Sequence, residues 1–191
     1  MELSQLQLVY QEPEDRLLMR VAATDEGQAH ELQAWLTRRF VGSMWAALQQ
    51  ALGVQVTLTH PDAAHASAEL IDMAHQSALD TLSSAGGFGE RFSESLPPHA
   101  GLAVPFLVAE AKFHIAANAP MRINFLPAEG AGVEIAFTET ELHGFCTLLQ
   151  AAVETAGWEV PLYLESAWTG ASDAASETST GILSAPSRTL N

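Results

Sequence analysis

Basic side chains are scarce in this chain of 191 residues: 8 Lys and Arg stand against 23 Asp and Glu, for a formal net charge of −15. Neutralising a phosphate backbone needs clustered cations. The balance therefore disfavours DNA, RNA and anionic membranes as partners, and suits solubility, a basic protein partner or a solvated acidic surface. Cysteine is nearly absent too. The single Cys146 has no intramolecular disulfide partner and sits in the apolar run Phe145-Cys146-Thr147-Leu148-Leu149, which reads as a buried thiol in a reducing compartment. No stretch approaches ~18 uninterrupted apolar residues, the length a membrane-spanning helix needs. Met1-Glu2-Leu3-Ser4-Gln5 has neither the basic region nor the apolar run of a signal peptide. The expectation is a cytoplasmic chain without a membrane span.

Catalytic signatures are missing as well. There is no G-x-S-x-G elbow, P-loop or G-x-G-x-x-G pattern, and Gly86-Gly87-Phe88-Gly89 has neither a Lys nor a preceding strand. No cofactor is expected, and a non-enzymatic role is preferred over an enzyme with an unfamiliar site.

What is present is a foldable core. Apolar residues make up 48% of the chain and charged residues 16%, too hydrophobic for a disordered chain as a whole. Gln5 to Tyr10 alternates polar and apolar residues, the period of a half-buried strand. Arg16 to Ala22 reads as a second strand, with Asp25-Glu26-Gly27 as the turn after it. Residues 28–37 suit either a helix opening or a strand; the alternation of Leu32, Ala34 and Leu36 with Gln33, Trp35 and Thr37 favours the strand. Thr37 is then the N-cap of a helix from about Arg38 to Leu52, with Gly53 past its end. Val54 to Thr59 alternates like a short strand. The Ala-rich stretch from Pro61 to Leu82 reads as a helix, and Ser83 to Gly101 as a connector. Val104 to Ala116, Met121 to Leu126 and Gly132 to Thr138 are three further strand candidates. Thr138 and Glu141 have capping-box spacing ahead of a helix ending near Gly157. Beyond Glu165 large apolar residues thin out, which predicts a disordered tail over 166–191.

The two halves echo each other. Each runs through strand candidates into a helix bearing a Leu-Gln signature, Leu48-Gln49-Gln50-Ala51 in one and Leu149-Gln150-Ala151-Ala152 in the other. The expected fold class is α+β: two strand-rich, βββα-like units at about 3–53 and 104–158. They pack as one domain over 1–165, with a helical or irregular insertion at about 60–103.

Glu14-Asp15-Arg16-Leu17-Leu18, Trp35-Leu36-Thr37-Arg38-Arg39 and Leu142-His143-Gly144-Phe145-Cys146-Thr147-Leu148-Leu149-Gln150 together resemble a family of uncharacterised bacterial proteins. The resemblance covers roughly 3–52 and 104–160 and implies no activity, only that the halves belong together. In topology alone, the doubled unit resembles the Whirly and Pur-type single-strand nucleic-acid binders. Those use four strands per unit where three are counted here, and their signature residues are absent. Fold analogy of this kind does not carry function.

Arg38-Arg39 is the most direct binding candidate. Two guanidiniums at a helix start suit a phosphate or carboxylate, although pairing with Glu31 or another surface carboxylate is the simpler expectation. His65, Glu69, Asp72 and His75 have ligand chemistry for zinc or iron. They also fit the solvent side of a helix whose apolar face is Leu70, Ile71, Ala74, Ala78 and Leu82, so no metal is expected. His143 and Cys146 lie one turn apart, where a reactive thiol is one reading and a packed, inert one the simpler. Trp35, Trp45 and Trp158 suit a core, while Trp168 suits docking on a neighbour or on the domain itself. Two functions follow: a binding or adaptor protein with a protein partner or a second copy, or a single-strand nucleic-acid binder. The second needs Arg16, Arg20, Arg38, Arg39, Lys112 and Arg122 on one face.

Overall fold

The computed structural model describes residues 1–25, 27–85, 92, 96–99 and 105–164, and the backbone of 182–184. Strands β1 (Glu2–Gln11), β2 (Arg16–Asp25) and β3 (Gln28–Thr37) form an antiparallel meander that leads into α1 (Arg38–Thr59). A 3-10 segment at Pro61–Ala66 precedes α2 (Ser67–Ser84). The chain then supplies β4 (Phe106–Leu107), β5 (Glu110–His114), β6 (Met121–Leu126), β7 (Val133–Phe137), α3 (Glu139–Thr155) and β8 (Ile182–Ser184). The fold is α+β, and each half is three antiparallel strands followed by a helix. Of the tail expected to be disordered, all but 182–184 lies outside the described residues, as do Trp168 and the Gly86–Gly89 run. Ile182–Ser184 pairs antiparallel with β5.

Both expected caps form. The Thr37 hydroxyl accepts from the Phe40 amide at 3.2 Å. At α3, Thr138 Oγ1 accepts from the Glu141 amide while the Glu141 carboxylate accepts from the Thr138 amide at 2.8 Å.

All eight strands belong to one sheet, in the order β4-β3-β2-β1-β7-β6-β5-β8. The two units meet where β1 and β7 run parallel, at Glu2 opposite Ala136. The sheet also closes on itself. The Val108 amide donates to Trp35 in β3, and the next amide, Ala109, donates to Leu126 in β6. Consecutive Cα atoms are about 3.8 Å apart, so two strands far apart in the sheet order are brought together at this step.

One face of the curled sheet is apolar. Leu17, Met19, Val21, Leu32, Ala34 and Leu36 from the first unit join Phe113, Ile123, Phe125, Ile135 and Phe137 from the second in a single buried cluster. Helix α3 packs on β1 as well as β7, and α1 packs on β3 and β5, so each helix is shared between the units. After α3, residues 158–164 run back over the helices. Trp45 Nε1 and Gln49 Nε2 of α1 both donate to the Tyr163 carbonyl, the former at 3.1 Å, and Gln150 Nε2 of α3 donates to the Leu162 carbonyl at 2.6 Å. The two echoed Leu-Gln signatures thus hold successive carbonyls of one returning segment.

Asp15 ties this segment to the first hairpin. It sits in the left-handed region at φ 46°, and its Oδ1 accepts from Tyr10 Oη at 3.1 Å and from Trp158 Nε1 at 2.8 Å. Asp15→Ala leaves the Trp158 N–H without its partner, at an expected loss of about 1–3 kcal/mol. A urea melt of the variant checks this; an unchanged midpoint would show that water replaces the carboxylate.

Three local expectations are corrected. Val54–Thr59 is not a strand: α1 continues through Gly53 to Thr59. Gln55 Nε2 reaches the Ala119 carbonyl at 3.1 Å, and the helix stops only where Pro61 disfavours the helical backbone at His60. Tertiary contact overrides the ~1 kcal/mol that an interior Gly costs. Val104–Ala116 is not one strand, because β4 and β5 pair with different neighbours at the closure. Trp35 is not in the apolar cluster. It stands on the opposite face, half-buried across from Leu18.

Candidate functional site

Arginine placement follows from register. Arg16 opens β2 and lies directly opposite Thr37, the residue that caps α1 and precedes Arg38 and Arg39. Antiparallel partners are roughly 5 Å apart and neighbours about 3.8 Å, so Arg16 and Arg38 start within about 10 Å of each other. Arg38 and Arg39 are exposed and Arg16 half-exposed. Among the described residues none of the three has a carboxylate at ion-pair distance. Glu12 and Glu14 lie in the preceding 3-10 turn and point no ion pair at them. The expected partner of Arg38-Arg39, Glu31, is engaged elsewhere.

Glu31 is bound by Arg20. Arg20 Nε donates to Glu31 Oε1 at 2.7 Å and Gln33 Nε2 donates to the same oxygen at 2.8 Å, while the Phe92 ring covers the guanidinium at 4.3 Å. Burial pushes the Glu31 carboxyl up, but the Arg20 and Gln33 hydrogen bonds and the Arg20 charge outweigh it and leave the group below its ordinary range. The other cations of the sheet are also paired: Lys112 with Glu110 at 3.6 Å and Arg122 with Glu134 at 3.5 Å. By strand alternation Arg16, Arg20, Lys112 and Arg122 share the polar face of the sheet. Of these four, Arg16 alone has no carboxylate within ion-pair distance among the described residues.

The metal candidates disperse. His65 falls in the 3-10 segment and Glu69 and Asp72 are exposed on α2, while His75 turns inward. Among the described residues no three His, Cys, Asp or Glu side chains are gathered as ligands. His75 meets His143 of α3, Nδ1 to Nδ1, at 3.2 Å. The Cys146 thiol is fully buried, and burial pushes it up to about 12, which does not favour a reactive thiolate. A wide, open depression on α2 is lined by Ser77, Asp80, Thr81, Ser84 and Ala85, without the enclosure a small-molecule site needs.

Sequence reasoning singled out Arg38 and Arg39 as candidates and counted Arg16 only within a larger basic set. The signal for the trio was the hairpin itself: once β2 and β3 are taken as antiparallel partners, Arg16 falls beside Thr37. No family model, no curated protein and no solved structure matches the chain. Among the described residues no helix is long and apolar enough to cross a membrane.

Proposed function

We propose that this is a non-enzymatic binding or adaptor protein that recognises a carboxylate-bearing segment of a protein partner at the corner formed by Arg16, Arg38 and Arg39. The supporting observation is the contrast between these three guanidiniums, which form no ion pair among the described residues, and the remaining described Lys and Arg side chains, each paired with a carboxylate. Guanidinium is suited to bidentate contact with carboxylate. The surrounding negative charge restricts such contact to a short anionic segment that reaches the corner. In this reading the two units are an internal repeat, the chain acts in the cytoplasm, and the Glu14–Leu18 and Trp35–Arg39 runs mark its relatives. The single-strand nucleic-acid alternative needs a continuous cationic track, and carboxylates interrupt the sheet face that would supply it.

Fluorescence anisotropy with a labelled oligo-glutamate peptide and, in parallel, a labelled oligothymidine tests the proposal. The expected result is saturable, salt-sensitive peptide binding, weakened at least tenfold in the R16A/R38A/R39A variant, a loss of about 1.4 kcal/mol or more. Tight oligothymidine binding with a steep salt dependence would favour the alternative; no binding of either probe at low salt would sink the proposal.

A further inference from the structure

Between α2 and α3 lies a polar contact for which anion binding has no use. His75 is half-buried and His143 is 2% exposed, with ring centroids 5.2 Å apart and Nδ1 atoms 3.2 Å apart. The helices meet closely here, since a Cβ added to Gly144 would come within 2.8 Å of Leu82 Cδ1. We propose that the His75–His143 pair is an acid-sensitive latch, which holds α2 on α3 and releases it when both rings are protonated.

The chemistry is set by the two facing nitrogens. In the neutral pair one ring carries its proton on Nδ1 and donates; the other carries it on Nε2 and accepts at a bare Nδ1. A first proton from solvent adds to the bare Nε2 of the donor ring and leaves the Nδ1–H···Nδ1 bond intact. A second proton has only the accepting Nδ1 to bind. Its arrival breaks the bond and sets two imidazolium N–H groups against each other in an apolar junction. The contact therefore tolerates one proton and fails at two.

The surroundings assign the order. On α2, Asp72 is the carboxylate whose charge favours protonation of His75. On α3, His143 faces His75, and the buried Cys146 thiol stays neutral. Helix α1, which also packs on α2, has no ionisable side chain after Arg39. His75 is thus the donor and takes the first proton, and His143 takes the second. Burial, then the neighbouring His75 charge, holds His143 down to about 4, and burial lowers His75 as well, against Asp72. Both rings favour the neutral state when folded. The junction is at full strength above about 6.5, the ordinary histidine value, and weakens as pH falls toward about 4.

Amide hydrogen exchange on the full chain between pH 7 and pH 4, corrected for intrinsic rates, tests the latch. Protection of the α2 amides is expected to fall at least tenfold relative to those of β2 and β6, with most of the loss below about pH 6. In H75L/H143L, which replaces both rings by apolar groups, the selective loss should vanish. Unchanged α2 protection down to pH 4, or an equal loss in the double variant, would overturn the proposal. Should the double variant not fold, the ring carbon shifts of His143 in the natural sequence decide instead. Titration near 6.5 without loss of α2 protection would equally refute it.

Discussion

Phe145→Ala is expected to unfold both units in one transition, with a loss of about 3–5 kcal/mol. Phe145 is fully buried on α3 and packs on Phe137 of β7 with ring centroids 5.5 Å apart. The same helix also runs along β1 of the first unit, so a defect beneath it is expected to be felt by both units. Trp45→Ala should act comparably, since Trp45 is buried on α1 and its loss also removes the donor to the Tyr163 carbonyl. Such a loss rivals the whole stability of many domains, ~5–15 kcal/mol. Denaturant melts followed by fluorescence and by circular dichroism should coincide in both variants. A protease-resistant half surviving in either would mean that the units fold independently.

Glu31→Ala should be the most damaging single change on the polar face of the sheet. It strands the Arg20 guanidinium beneath Phe92 with only Gln7 Oε1, at 3.4 Å, as a side-chain acceptor. Breaking one side of a buried pair costs about 3–5 kcal/mol. Arg20 and Glu31 keep 19% and 10% side-chain exposure, so solvent screening places the expected loss near the lower figure, about 3 kcal/mol. An Arg20→Met/Glu31→Leu double variant should recover most of that loss, because no unpaired charge remains. Acid acts in the same direction. The folded carboxyl lies below its ordinary 4.5, so the pair stabilises the fold above that pH and loses its contribution as pH falls below it. Chemical denaturation of the three proteins at pH 7 checks the order. Equal stability of Glu31→Ala and the natural sequence would mean the pair is already solvated.

Much of the architecture was legible because it rests on local periodicity. Alternation at 32, 34 and 36 marked β3 despite helix-favouring Ala, Leu and Gln, and Thr37, Thr138 and Glu141 fixed two helix starts through side chains that reach only three residues along the chain. What escaped is long-range. The alternation of Val54 to Thr59 carried no trace of the Ala119 carbonyl that helps hold Gln55 in a helix. Nothing local in Val104–Ala116 marks the sheet's closure at Val108 and Ala109, which depends on β3 and β6 arriving from two halves of the chain. His75 and His143 are 68 residues apart, and each reads alone as a surface or core histidine. Arg38 stood out beside Arg39, but its lack of a partner followed only once Glu31 was seen bound to Arg20.

The arginine corner is tested most directly by nitrogen-15 spectra of the guanidinium Nε–H groups while oligo-glutamate peptide is added to the full chain. The account predicts that the signals of Arg16, Arg38 and Arg39 shift together along one saturation curve, while those of Arg20 and Arg122, each already paired, stay in place. Shifts led by Arg20 and Arg122, or no shift at Arg38 and Arg39 at low salt, would contradict it.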